Sequence, residues 1–93
     1  MRYIISEAAK ADMIQLYLDG VKKHGEKQAV NYYESLIKQF ELVAKSPRIH
    51  AERIELTPPV RVCPYGMHMI LYMIKEDDDM CVLRVRHSRE DWL

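Results

Sequence analysis

The run MHMILYMI, residues 67–74, constrains the fold more than any other stretch of the chain. Successive side chains of a strand point to opposite faces, so Met67, Met69, Leu71 and Met73 share one face and His68, Ile70, Tyr72 and Ile74 the other. Both sets are largely apolar. A strand of that kind has to be covered on both sides and flanked by neighbours, which predicts the central strand of a sheet. The neighbours are VRVCPY before it and MCVLRVRH after it, and KEDDD is long enough to close a hairpin between the last two. In the last run Cys81, Leu83 and Val85 alternate with Val82, Arg84 and Arg86, which predicts one core-facing side and one that turns basic toward its end.

The first half of the chain reads as a short strand and two helices. RYIIS ends at Ser6, a good cap for the helix formers that follow. Ala9, Met13, Leu16, Tyr17 and Gly20 recur at helical spacing, with Ile14, Leu18 and Val21 widening the stripe. Lys22, Lys23 and His24 suit the helix C-terminus, and Gly25 can end it. Ala29, Tyr33, Leu36, Phe40 and Val43 mark a second helix that Ser46-Pro47 stops. The tight turn at Gly25 predicts an antiparallel helical hairpin. PRIHAERIELTPP reads as loop with a possible edge strand near Ile54–Leu56.

The expected fold is therefore α+β, one domain over residues 1–93, ordered β-α-α-β-β-β, with a helical hairpin packed on a small, mainly antiparallel sheet. With 14 basic and 14 acidic residues there is no overall field to draw the chain onto nucleic acid or an anionic membrane, and attraction must come from local patches. No window has the composition of a signal-peptide core or membrane span, so a cytoplasmic location is expected. Cys63 and Cys81 lack zinc-site spacing and are expected to be buried apolar thiols. Asp77, Asp78 and Asp79 are consecutive rather than alternating, which reads as a solvated turn and not a calcium loop.

Three segments together carry a family resemblance: YIISEAAKADMIQLYLDGVKKHGEKQAVNYYESLIKQFELVAKSPR, VRVCPYGMHMILYMI and VLRVRHSREDW. An acidic first helix, a His-Gly turn and a second helix ending in Ser-Pro are followed by R-x-x-P-x-G-x-H-x-I-x-Y and R-V-x-H-x-R-x-D. In that order and at that spacing the chain resembles the ParE branch of the RelE/ParE superfamily of bacterial toxin–antitoxin toxins. The resemblance implies a plasmid-stabilisation or growth-arrest toxin that inhibits DNA gyrase by binding and is neutralised by a ParD-like antitoxin. It implies inhibition by binding with no enzymatic turnover, while the residues themselves lead to the expectation of no cofactor or metal, no membrane and no direct sequence-specific binding to nucleic acid. Two alternatives stay open: a RelE-like ribosome-dependent messenger-RNA endoribonuclease, and an inactive homologue that only binds antitoxin.

Cleavage through a 2′-hydroxyl needs a base, an acid and cations at phosphorus. His87 could move a proton and Arg61, Arg84, Arg86 or Arg89 could hold phosphate, but the resemblance implies a terminal Tyr for the nucleases, and here that segment reads SREDWL. The target-binding candidates are Arg61, Arg84, Arg86, His87, Arg89 and Trp92, because arginines two apart on a strand reach the same side and grip carboxylates in two-pronged fashion. The competing readings are pairing with Glu90, Asp91 or the Asp77–Asp79 turn, and plain solvation. His68 is expected to be packed or locally satisfied. Ile14, Leu18 and Val21, left over on the first helix, are the antitoxin-binding candidates, since a disordered partner segment can fold along a groove between helices and sheet.

Overall fold

A computed structural model describes residues 2–57 and 59–89. Its elements are β1 (Tyr3–Ile5), α1 (Glu7–His24), α2 (Glu26–Lys45), β2 (Glu52–Arg53), β3 (Val60–Tyr65), β4 (His68–Ile74) and β5 (Met80–His87). Among the described residues the strands form one sheet in the order β1-β5-β4-β3-β2. β4 is central, as its two apolar faces require. β1 runs parallel to β5 and the other pairs are antiparallel.

The expected edge strand lies slightly earlier than Ile54–Leu56. Glu52 and Arg53 pair with Arg61 and Val60, and the chain then turns through a Leu56 N–H to Arg53 carbonyl bond, which leaves Ile54 exposed.

Gly25 joins the helices. Its φ of 88° belongs to a region that L side chains rarely adopt; its N–H donates to the Val21 carbonyl and its own carbonyl accepts from Ala29. Against the sheet, the hairpin buries Met13, Leu36 and Phe40 together with Ile70, Tyr72, Met80 and Val82. Each such large side chain contributes roughly 1.5–3 kcal/mol of transfer free energy. The Tyr72 hydroxyl donates to the Pro47 carbonyl at 2.6 Å, so the loop after α2 is tied to the central strand.

The other face of the sheet carries a second apolar cluster, Val60, Val62 and Leu71 with Met69, Leu83 and Leu56 beside it. This corrects the simple alternation expected for β5. A bulge shifts the register, so that Val82 lies opposite Tyr72 but Arg84 lies opposite Leu71. Val82 and Val85, three apart, therefore both reach the helix-side core, while Leu83 joins the second cluster.

β1 ends before β5 does, and α1 takes over along the exposed edge. Ser6 N–H donates to the Val82 carbonyl, and Ser6 Oγ donates to the Leu83 carbonyl while accepting from Ala9 N–H. One residue thus caps the helix, as expected, and continues the ladder that β1 began.

Candidate partner-binding groove

Between the hairpin and the far end of the sheet lies a groove of about 870 Å³. Asp12, Leu16 and Asp19 line it from α1, at the spacing that puts them on one helix face; Asn31, Tyr32 and Ser35 line it from α2. His68, Val85, Arg86 and His87 form the sheet wall, with Met67 added from the turn before β4.

His68 and His87 are partners in the β4–β5 register, and their rings meet edge to face with centroids 5.4 Å apart. Tyr32 Oη and His68 Nδ1 share a 2.7 Å hydrogen bond, and the same hydroxyl lies 3.3 Å from the Tyr65 carbonyl. Burial raises the Tyr32 pKa, so its hydroxyl stays protonated through the neutral range. The contact depends on Gly66: its φ is 55°, and a Cβ there would sit 2.8 Å from Tyr32 Oη. His87 Nδ1 accepts from the Arg89 N–H at 3.1 Å, and Ser88 N–H donates to the Met67 carbonyl, which joins the end of β5 to the β3–β4 turn.

At the other end of this wall, Asp12 takes two hydrogen bonds from the Arg84 guanidinium, at 2.7 and 2.9 Å, and a third from the Val85 N–H at 3.0 Å. Burial alone would push the Asp12 pKa up. The Arg84 hydrogen bond, the Val85 amide and the charges of Arg84 and Arg86 outweigh it, so the carboxyl lies below its ordinary value.

The structure therefore brings Arg86 and His87 together with His68 in the groove and engages Arg84 with α1. Arg61 stands apart: it shares a register row with Tyr72, donates to the His50 carbonyl at 2.7 Å, and lines a separate pocket of about 200 Å³ with Arg48 and Lys75. Arg89 is exposed, and Trp92 lies outside the described residues, as do Glu90 and Asp91. The aspartate turn meets Arg2 through Asp79 and Arg48 through Asp78. Ile14 and Leu18 are exposed, Val21 is half-buried, and none of the three lines the groove, because their positions fall on the opposite side of α1 from Asp12 and Leu16. Cys63 is buried and Cys81 half-buried, and both are free thiols.

Sequence reasoning passed over Asp12 and Tyr32. Asp12 had a signal: an acid interrupting the apolar stripe between Ala9 and Leu16 needs a partner. Tyr32 had none, since its partners lie 33 and 36 positions away.

The sequence profile of the family described as "ParE toxin of type II toxin-antitoxin system, parDE" matches residues 3–92. A curated relative, Toxin ParE1 of Mycobacterium tuberculosis, is 30% identical over 90 residues, spanning 97% of this chain and 92% of the relative. Toxin ParE1 of Caulobacter vibrioides is 28% identical over 86 residues, spanning 92% of this chain and 88% of the relative. The fold matches a solved structure described as "Chromosomal ParDE TA system from P. aeruginosa", with a TM-score of 0.79 at 19% identity, covering 94% of this chain and 95% of that one.

Proposed function

This chain belongs to the family of ParE toxins of parDE type II toxin–antitoxin systems, and from that membership we propose that it arrests growth by binding DNA gyrase and is neutralised by a ParD-like antitoxin. The observation that carries the reading is that the family match runs from residue 3 to residue 92, so the groove and the basic end of β5 both fall inside it. Inhibition by binding requires a stiff scaffold that presents cations and apolar surface, with no proton transfer. The target-facing surface in this reading is the end of β5 and the residues after it, Arg84, Arg86, His87, Arg89 and Trp92, with Arg61 a separate contact on β3. The antitoxin occupies the groove and extends over the outer side of α1, at Ile14, Leu18 and Val21.

Arg86 and His87 belong to both surfaces, and this supports a steric account of neutralisation. A segment seated in the groove covers part of the face that gyrase would meet.

The ribonuclease alternative draws support from one arrangement, two facing imidazoles with Arg86 adjacent, which is the type of group that acid–base cleavage of RNA uses. A single experiment separates the readings. Purified chain is added to gyrase, ATP and plasmid, and in parallel to a cell-free translation reaction. Loss of supercoiling with accumulation of linear DNA and undisturbed translation is expected. Cleaved transcripts with normal gyrase activity would overturn the proposal in favour of the nuclease, and inactivity in both, with tight antitoxin binding, would leave an inert homologue.

A further inference from the structure

We infer that the small pocket at the Lys75 end of β4, where Arg48, Arg61 and Lys75 converge, binds a phosphate group, carried by a nucleic-acid backbone or by a free nucleotide. This gives Arg61 a ligand of its own and does not depend on which macromolecule the toxin arrests.

Four separate segments build the pocket. Arg48 comes from the loop after α2, Glu52 from β2, Arg61 from β3 and Lys75 from the turn after β4, and Pro59, Met73 and Ile74 complete the lining. The central strand holds these pieces together. Tyr72 Oη, bonded to the Pro47 carbonyl at 2.6 Å, ties down the residue before Arg48, and the Tyr72 ring meets the His50 ring edge to face with centroids 6.4 Å apart. Arg61, in register with Tyr72, donates from Nη1 to the His50 carbonyl at 2.7 Å. The half-buried guanidinium is thereby fixed, and with five N–H donors on the group most of its capacity is left for a ligand. At about 200 Å³ the pocket is on the scale of one small polar group, whereas the groove of about 870 Å³ is on the scale of a peptide segment.

The charge of the lining selects an anion. Three cations face one acid, Glu52, and among the described residues neither Glu52 nor Lys75 forms an ion pair. Asp78 takes one hydrogen bond from Arg48 at 3.0 Å, but both side chains are largely exposed, so that pair is weakly held and the rest of the Arg48 fork stays available. Counting Asp78 as well, the excess is still one positive charge, the complement of a phosphodiester. The groove differs, because its lining balances Asp12 and Asp19 against Lys23 and Arg86. Two guanidinium forks and an ammonium brought in from different directions suit a tetrahedral anion whose oxygens also point in different directions, and guanidinium matches phosphate with paired bonds where lysine adds a point charge. A net charge of zero gives the whole chain no attraction to polyanions, so any contact with phosphate has to be made by a local cluster such as this one.

The test is a titration of the full chain, followed through its backbone amide resonances, with inorganic phosphate, adenosine monophosphate and a short DNA duplex, at an ionic strength of about 0.1 M. Amides at Arg48, Glu52, Arg61 and Lys75 should move with the phosphate probes and stay in place with chloride at the same ionic strength. Lys75→Gln, at an exposed position that the fold does not need, should weaken binding about three- to tenfold. Glu52→Gln removes the opposing charge and should tighten binding about two- to threefold, a gain that a poorly folded variant cannot mimic. Arg61→Gln should weaken binding most, with its stability measured alongside because the His50 contact is lost as well. A duplex that binds more tightly than the nucleotide, with steep loss of affinity in salt, assigns the phosphate to a nucleic-acid backbone; the reverse order assigns it to a free nucleotide. Pocket amides that do not move, a duplex that moves only groove residues, or affinities indifferent to both Lys75→Gln and Glu52→Gln would overturn the site. Gyrase inhibition is scored in a separate assay, so failure of that reading and failure of this one are distinct results.

Discussion

Asp12 and Arg84, 72 positions apart in the chain, form a two-pronged ion pair at 2.7 and 2.9 Å that fixes the middle of α1 to β5 just beyond the bulge. Ser6 fixes the start of the same helix to the same strand. The groove wall is therefore held at two points. Arg84 is in consequence a structural clamp as well as a candidate contact residue, and loss of toxicity in an Arg84 variant has to be read beside its stability.

Replacing Asp12 by Asn should destabilise the fold by about 1–3 kcal/mol, the range for losing hydrogen bonds to a charged group. The lower half of that range is expected, because the Arg84 side chain is 41% exposed and solvent screens the pair. The pH dependence has a definite sign. The folded-state pKa of Asp12 is lowered, so its contribution is present above the unfolded value of roughly 3.9 and is lost as pH falls through the lower folded value. Urea unfolding from neutral pH down to about pH 2 should show this loss in the wild type and a shallower slope in the Asn variant. Equal slopes would mean that the pair is electrostatically idle.

Gly66→Ala should cost about 1–3 kcal/mol, because the new methyl meets Tyr32 Oη at 2.8 Å in a backbone conformation strained for L residues. Tyr32→Phe removes the nearest of the three ring-side atoms but keeps Cε1 at 3.0 Å and Cζ at 3.3 Å, so Gly66→Ala should cost less, though not nothing, in that background. A double-mutant cycle measures the difference. A coupling indistinguishable from zero would show that backbone strain and the ring carbons, rather than the hydroxyl, make glycine necessary here.

The contrast between these sites and the rest of the fold explains what could be read from the chain. Helices and strands declare themselves through local periodicity, so both helices, the central position of MHMILYMI and the Ser6 cap were all visible in the order of residues. Groupings that depend on long-range register were not. Facing of His68 and His87 requires the pairing of β4 with β5, and the shared core of Val82 and Val85 requires a bulge that breaks a period of two. The edge strand moved from Ile54–Leu56 to Glu52–Arg53 because Val60 and Arg61 supply the pairing there, a choice made by β3 rather than by the loop's own composition.

Tyr72 should behave as an alkaline stability reporter. Burial pushes its pKa up to about 12 against the opposing pull of Arg61, and its hydroxyl donates to the Pro47 carbonyl. A raised tyrosine pKa means that the folded state holds the proton more tightly than the unfolded one. Stability is complete below about pH 10, begins to fall there and is lost as pH rises through about 12. In a spectrophotometric titration one of the six tyrosines should lag the others. Tyr72→Phe should cost about 1–2 kcal/mol at neutral pH, since it orphans a buried carbonyl, and should remove the lagging phase. A lagging phase that survives the substitution would assign it to a different tyrosine.

The outer side of α1 offers the cleanest separation of folding from binding. Ile14 is 60% exposed and Leu18 48%, one turn apart, whereas Phe40 beneath the hairpin is fully buried. Ile14→Ser and Leu18→Ser should shift stability by no more than about 0.5 kcal/mol, while Phe40→Ala should cost about 3–5 kcal/mol. If the antitoxin extends over this side of the helix, the two surface variants together should weaken its binding by about tenfold or more, or about 1.4 kcal/mol, while changing the stability of the free chain by no more than about 1 kcal/mol. Undiminished affinity would confine the antitoxin to the groove and return Ile14 and Leu18 to the ordinary apolar fraction of a protein surface.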